Sequence, residues 1–168
     1  RVLQRYPQVI HHPLYGIYQI PYLHIETPYN GSAVGLAQAV FRKVDQLLPE
    51  ADYVSQYASS RGVDTLMNHA ARVLHMHCVG LLVIDEIQNL EHSPVNRQAL
   101  MTLLVSASNE LGVPLLFVGT YKAKNILSLD FRQSRRSIGY GIPEWGRLVK
   151  GVDGQTGEWE VFIKVLWR

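Results

Sequence analysis

The 168-residue chain contains a single cysteine, Cys78, so no disulfide can form within it. A reducing cytosol is therefore the natural compartment, and the expected role of Cys78 is that of a small buried apolar residue. No stretch approaches the ~20 apolar residues that a membrane-spanning helix needs, and no secretory signal is recognisable at the start. We therefore expect a cytoplasmic protein without a membrane anchor.

Excess charge of either sign is also lacking. The formal net charge is +2, which is too small to predict nucleic-acid binding by itself. Hydrophobic residues at 47% and charged residues at 18% exclude a disordered chain and an extended coiled coil, so one globular domain is expected. His75 and His77 lie two positions apart on a predicted helix and point in different directions, which argues against a shared metal.

A phosphate-binding loop is also absent from these residues. P-loop ATPases bind nucleotide phosphates with the motif GxxxxGK[ST] after a first strand. None of the lysines follows a glycine; they are Lys43, Lys122, Lys124, Lys150 and Lys164. The chain also begins with Arg1 instead of Met, and we expect that further sequence precedes it in the gene product.

Apolar periodicity predicts alternating strands and helices along most of the chain. Ser32 is placed to cap the start of a helix of about 14 residues, whose apolar stripe runs from Leu36 to Leu48. The other predicted elements are a strand over Gln19–Glu26, a helix from Val63 to Cys78, a strand in "VGLLVIDE", a helix from Ser93 to Gly112, a strand over Pro114–Gly119 and a closing helix in "WEVFIKVLWR". This order favours an α/β fold with a parallel sheet flanked by helices.

Two adjacent carboxylates, Asp85 and Glu86, end the apolar run "LLVIDE". Ligands of open parallel sheets collect outside the carboxyl ends of the strands, where a nucleotide's phosphates and metal would lie. Neighbouring residues there point in different directions, so Asp85 can serve a Mg²⁺ shell while Glu86 activates a water for attack on a γ-phosphate. Four apolar residues before Asp-Glu form the Walker B pattern; the alternative is a strand end with two solvated acids.

Two further features bear on that interpretation. Thr120 ends the next predicted strand, where a polar sensor would contact the γ-phosphate, although a simple turn threonine is the alternative. The arginine cluster Arg132, Arg135 and Arg136 places three guanidinium groups within five residues. It is either the source of an arginine finger that reaches a neighbouring subunit's phosphates or a solvated, acid-paired surface.

Several motifs in a fixed order resemble one protein family. They are "IPYLHIETPYNGS", a helix ending in "VDQLL", "GLLVIDEIQNL", "LGVPLLFVGTYKA", "DFRQSRRSIGYG" and the closing "GEWEVFIKVLW". Together they resemble the TnsC/TniB-type transposition ATPases, which are AAA+ proteins that regulate DNA transposition. The resemblance runs from about Tyr6 to Gly141, and the closing motif adds to it beyond that range.

This resemblance implies a P-loop NTPase (AAA+) sheet that lacks its P-loop strand, because the Walker A segment would lie just before Arg1. Residues 1–168 would be a truncated AAA+ domain, in which 151–168 begin a following helical region. The strand at Pro114–Gly119 would then expose an edge that another strand or a second copy must cover. Without Walker A, the chain alone would be inactive as an ATPase.

The function that the resemblance implies is ATP-dependent control of insertion. Such a protein uses ATP and Mg²⁺, assembles as a homo-oligomeric ring or filament on DNA, and links a target-selector protein to the transposase subunits. Carried over by position, Asp85 and Glu86 match the Walker B acids, with Asp85 binding Mg²⁺ through water, and Thr120 matches the sensor. The arginine cluster matches the region that supplies the finger, without identifying one member.

A DNA-facing segment of related rings matches Asn30 to Lys43. Asn30, Ser32 and Lys43 are therefore candidate DNA contacts, whereas Ala33 and Val34 depart from the basic residue that relatives often carry there. Two other functions remain compatible with the sequence. A helicase-loader or initiator-like AAA+ ATPase would share the site but not the transposase, and a non-catalytic interaction module would bind ATP weakly or not at all.

Overall fold

The computed structural model describes residues 3–92, 112–123, 146–152 and 155–166, which fall into two compact units, Arg1–Ile138 and Gly139–Arg168. The first unit contains β1 (Ile10–His12), β2 (Ile17–Gln19), β3 (Leu23–Glu26), α1 (Ala33–Leu47), α2 (Tyr53–Tyr57), α3 (Val63–Met76), β4 (Leu82–Asp85) and β5 (Leu115–Phe117). Short 3-10 helices cover Leu3–Arg5 and Ile87–His92. The second unit contains α4 (Glu158–Leu166).

A parallel sheet with the strand order β3-β4-β5 forms the centre of the first unit. Leu82, Val83 and Ile84 of β4 are all buried, although consecutive strand residues point to opposite faces. Both faces of β4 are therefore covered, as expected for a continuous apolar strand in a parallel sheet. The predicted mixed α/β class with a parallel sheet flanked by helices is confirmed for the described residues.

Helix α1 begins where the sequence predicts. The Ser32 side chain accepts a hydrogen bond from the backbone N–H of Gly35 at 3.1 Å, which satisfies one of the free donors at the helix start. One face of α1 is buried and carries Leu36, Ala37, Val40, Phe41 and Val44. This face packs on β3 and α3, so the apolar stripe of the sequence joins the helix layer to the sheet.

Helix α2 was not predicted, because its five residues are too few to show a helical period. Its first turn is held from α1, where the Asp45 carboxylate accepts the backbone N–H groups of Tyr53 and Val54 at 2.9 and 3.0 Å. The Tyr53 hydroxyl lies 2.8 Å from Nε2 of His77, at the end of α3. These contacts fix α2 between α1 and α3.

The prediction of one strand over Gln19–Glu26 is wrong, because the chain breaks between β2 and β3. β2 pairs antiparallel with β1 in a separate hairpin, whereas β3 belongs to the parallel sheet. Pro21 has no N–H to donate to a ladder, and its carbonyl oxygen approaches Gly80 so closely that a Cβ there would lie 2.8 Å away. The carbonyl oxygen of His77 also accepts the backbone N–H of Ile20, which holds the break against the end of α3.

The expectation of a buried Cys78 is also wrong. Cys78 is exposed and has a φ of 45°, a left-handed conformation that turns the chain away from α3. The next residue, Val79, takes the buried position, and its N–H donates to the Leu74 carbonyl oxygen at 3.0 Å. The turn into β4 therefore puts Val79 in the core instead of Cys78.

Two predicted features lie outside the described residues, namely the helix body at 93–111 and the arginine cluster. The closing helix is confirmed as α4. In the second unit, Glu160 of α4 accepts the backbone N–H groups of Gly151 and Gly157, and the Gly151 bond is the main cause that lowers the pKa of the Glu160 carboxyl. None of the helices described has both the length and the apolarity that crossing a bilayer requires.

Candidate functional site at the carboxyl edge of the sheet

The carboxyl ends of the three parallel strands meet at one edge of the sheet. β3 ends at Glu26, which is the register partner of Asp85 at the end of β4. Thr120 lies three positions beyond the last residue of β5, at the same edge. The structure therefore brings the predicted acids and the predicted sensor segment together, as the parallel topology requires.

Asp85 lies at the boundary between the core and this edge, with its side chain 31% exposed. Its Oδ1 accepts the backbone N–H of Glu86 at 2.8 Å. Its Oδ2 lies 3.3 Å from Nε2 of His24, an exposed residue of β3. The carboxylate is therefore oriented by both neighbouring segments while it keeps access to solvent.

Glu86 is exposed and has a φ of 54°, which non-glycine residues seldom adopt. Its carbonyl oxygen accepts the N–H of Asn89 at 2.9 Å, and this bond closes the first turn after β4. Its carboxylate accepts a hydrogen bond from the side-chain amide of Gln88. Backbone strain of this kind is concentrated at functional sites, where it costs roughly 1–3 kcal/mol.

Gln88 also contacts the segment after β5. Its Oε1 accepts the backbone N–H of Thr120 at 3.1 Å. The main chain supports the same approach, since the N–H of Ile87 donates to the Val118 carbonyl oxygen at 3.2 Å. The turn that carries Glu86 and the turn that carries Thr120 are therefore joined by both backbone and side-chain bonds.

The carboxylates at this edge suit a Mg²⁺ ion that is bound together with phosphates, and not one that is held by protein side chains alone. Among residues 3–92, 112–123, 146–152 and 155–166, no group of three or more His, Cys, Asp or Glu side chains could hold a metal ion. Mg²⁺ at nucleotide sites usually takes one or two carboxylates together with phosphate oxygens and waters. Asp85 and Glu86 offer such carboxylates, so the residues fit a metal that binds together with phosphates.

The candidate DNA contacts lie at different places along α1. The Asn30 side chain accepts the N–H of Ser32 at 3.1 Å, and Ser32 in turn caps the helix, so both have structural roles at its start. Lys43 is half-buried and lies ten residues after Ala33, about 15 Å along the helix axis. The structure therefore does not gather the three candidates into one cluster.

Two residues of this edge were missed from the sequence, namely His24 and Gln88. His24 precedes Glu26 by two positions on the exposed face of β3, and this alternation is the signal that could have placed it near Asp85. No spacing rule could have found Gln88, because its contact with Thr120 joins residues 32 positions apart. The predicted finger residues Arg132, Arg135 and Arg136 lie outside the described part of the chain.

A family comparison covers most of the chain. Residues 16–147 match the family model described as the bacterial TniB protein, which is more than half of the chain and includes β3, β4, β5 and Thr120. No curated protein shows significant sequence similarity to the chain. The chain therefore belongs to the TniB family, whose members are transposition-related proteins.

Proposed function

We propose that the chain carries the Walker B half of an AAA+ ATPase site and acts as an ATP-dependent regulator of DNA transposition. Its membership in the TniB family supports the link to transposition. The observation that carries the ATPase proposal is the pair Asp85 and Glu86 at the carboxyl end of the central described strand, beside Thr120. Ligands of P-loop sheets bind at this edge.

Each residue of the proposed site has a distinct task. Asp85 would bind Mg²⁺ through water, and Mg²⁺ bound with ATP would neutralise charge on the phosphates. Glu86 would orient a water and accept its proton through the carboxylate oxygen that does not accept the hydrogen bond from Gln88. Thr120 would contact the γ-phosphate as a sensor. A member of the arginine cluster would supply the finger to a neighbouring subunit.

The proposal also requires parts that these residues do not supply. No glycine-lysine phosphate loop occurs in the 168 residues, so the proposal requires a P-loop strand that these residues do not contain. The proposed assembly is a homo-oligomeric ring or filament on DNA that links a target-selector protein to transposase subunits. Asn30, Ser32 and Lys43 stay the candidate DNA contacts, although the roles of Asn30 and Ser32 in the cap provide a sufficient structural reason for both.

One observation favours a second function, a non-catalytic interaction module. Glu86 is exposed and its carboxylate already accepts a hydrogen bond from Gln88, as expected for a solvated acid at a strand end that binds no nucleotide. Such a module could still bind transposition partners, because binding does not require nucleotide turnover. The two functions differ in whether the whole gene product binds Mg-ATP.

Calorimetric titration with Mg-ATP separates these functions. The 168-residue chain should bind Mg-ATP weakly or not at all, whereas the whole gene product should bind it tightly and lose affinity when Mg²⁺ is chelated. Asp85→Asn should remove that magnesium dependence, and Asp64→Asn, an exposed residue of α3, serves as the matched control. A whole gene product that binds no Mg-ATP would leave the interaction module as the function.

A further inference from the structure

We propose that Gln88 is a positioning residue that couples the carboxylate of Glu86 to the segment of Thr120. The inference rests on the proposed ATPase function and adds to it a route between the sensor and the residue that activates water. Gln88 stands three residues after Asp85, at the start of the 3-10 helix. Its side chain forms hydrogen bonds with both the Glu86 carboxylate and the Thr120 backbone N–H.

The chemistry of the two partners fixes the orientation of the Gln88 amide. A carboxylate can only accept and a backbone N–H can only donate, so Nε2 must face Glu86 and Oε1 must face Thr120. Glutamine supplies one donor and one acceptor at the required reach. Glutamate at this position would keep the acceptor for Thr120 but place a second negative charge against Glu86.

Buried neighbours hold the backbone around Gln88 in place. Ile87 and Leu90 of the same 3-10 helix are 1% and 0% exposed. The N–H of Ile87 is bonded to the Val118 carbonyl oxygen. The main chain of Gln88 is therefore anchored, so its side chain restrains Glu86 relative to Thr120 instead of following a mobile loop.

The lack of a side chain at Gly119 also supports this contact. A Cβ on Gly119 would lie 2.7 Å from Oε1 of Gln88 and 2.8 Å from Cγ2 of Ile87. Both distances are shorter than a Cβ contact allows, so a larger residue would displace the amide from Thr120. Glycine at position 119 thus leaves the space through which Gln88 reaches the neighbouring segment.

A consequence for regulation follows from this arrangement. A shift of Thr120 toward a bound phosphate would pull on Oε1 of Gln88, and the same amide would then move relative to the Glu86 carboxylate. The state of the nucleotide would in this way set the orientation of the carboxylate that handles the water. Loss of the contact should lower kcat and leave nucleotide affinity unchanged, because the proposal assigns Gln88 bonds to Glu86 and Thr120 and none to the metal or the phosphates.

Three substitutions separate the two ends of this contact. Gln88→Met removes both bonds but keeps a side chain of similar length. Gln88→Glu keeps the acceptor for the Thr120 N–H and removes the donor to Glu86. Gly119→Ala displaces the side chain of an unchanged Gln88. The first readout is hydrogen exchange of the Thr120 amide in the absence of nucleotide. Exchange should accelerate about tenfold in Gln88→Met and Gly119→Ala and stay near wild type in Gln88→Glu.

The second readout is steady-state ATP hydrolysis by the whole gene product. Gln88→Met and Gln88→Glu should each lower kcat about tenfold or more with KM within about twofold. Gln56→Met on α2, where Gln56 is exposed, is the matched control and should change neither value. A merely structural role would predict normal kcat in Gln88→Glu, because that variant keeps the bond to Thr120.

The outcomes distinguish this proposal from the one on which it rests. A wild-type gene product without ATP hydrolysis would refute the proposed function, while the Thr120 exchange rates would still report whether the contact forms. An active wild type with unchanged kcat in Gln88→Met would overturn the coupling role alone. Unchanged Thr120 exchange in Gln88→Met would show that the contact itself is absent in solution, which also overturns it.

Discussion

The side-chain amide of Asn89 donates a hydrogen bond to the backbone carbonyl oxygen of Thr27 at 3.0 Å, and so joins the end of β3 to the turn after β4. The N–H of Thr27 completes the junction by donating to the Asp85 carbonyl oxygen at 2.9 Å. The candidate site thus lies on a junction of two strand ends, whose geometry depends on residues outside the acidic pair.

Replacing Asn89 should therefore weaken the fold at this edge. Asn89→Ala should lower the free energy of unfolding by about 1 kcal/mol, and Asn89→Asp should lower it further, since a carboxylate would face the Thr27 carbonyl oxygen. Urea unfolding measures both values. Asn68→Ala, at an exposed site on α3, is the control and should be neutral or slightly stabilising. Equal effects at positions 68 and 89 would contradict the junction.

Gly80 is expected to be intolerant of any side chain. Gly80→Ala should lower the free energy of unfolding by roughly 1–3 kcal/mol, because its Cβ would meet the backbone carbonyl of Pro21, which cannot move aside as a flexible side chain can. Gly146→Ala is the matched control, since a Cβ there meets nothing within 4 Å. Similar unfolding curves for the two variants would show that the close approach of Pro21 is wrong.

Cys78 should be replaceable with a gain in stability. Its left-handed φ of 45° costs a side chain about 1–2 kcal/mol that glycine avoids, and the residue is exposed. Cys78→Gly should raise the free energy of unfolding by about 1 kcal/mol, which corresponds to a rise in Tm of about 2–4 °C in a chain of this size. Cys78→Val, with a β-branched side chain, should lower Tm. The described backbone would be contradicted by a lower Tm in Cys78→Gly.

Tyr53 gives the fold a sensitivity to alkaline pH. Burial raises the pKa of the Tyr53 hydroxyl above its usual value of 10.0, and the charges of Tyr57 and Asp45 raise it further. Because the folded state keeps this proton to a higher pH than the unfolded state, unfolding releases a proton above pH 10. The contribution of Tyr53 to stability therefore falls as pH rises from about 10.

Urea midpoints between pH 8 and 11 measure this dependence. Tyr53→Phe should flatten the alkaline decline while lowering stability at pH 8, since its hydroxyl bond to His77 is lost. Tyr15→Phe is the control, because Tyr15 is 75% exposed on the β1–β2 hairpin. An alkaline decline in Tyr53→Phe as steep as in wild type would exclude Tyr53 as its source.

Local sequence patterns were enough to predict α1, α3 and β4. The stripe from Leu36 to Val44 and the Ser32 cap act within a few residues, and the apolar run before Asp85 requires a strand buried on both faces. Parallel topology then places Thr120 at the same edge as Asp85. These features depend on periodicity and chain connectivity, both of which the sequence displays directly.

Features that depend on distant contacts could not be predicted. The break at Pro21 is held by Gly80 and His77 from another part of the chain, and α2 is held by Asp45 from α1. The bond between Gln88 and the Thr120 backbone joins residues 32 positions apart. Such contacts form only when the chain is folded and packed, so no local sequence pattern predicts them.

Nucleotide turnover by the whole gene product tests the central claim most directly. Glu86→Gln preserves the size of the side chain but removes the carboxylate that accepts a proton from water, and the neighbouring Asp85 is left intact. We expect this variant to bind Mg-ATP as tightly as wild type, to hydrolyse it at least about 100-fold more slowly, and to retain ATP after rapid gel filtration. Unchanged hydrolysis in Glu86→Gln would contradict the role of the Asp85–Glu86 edge as an ATPase site.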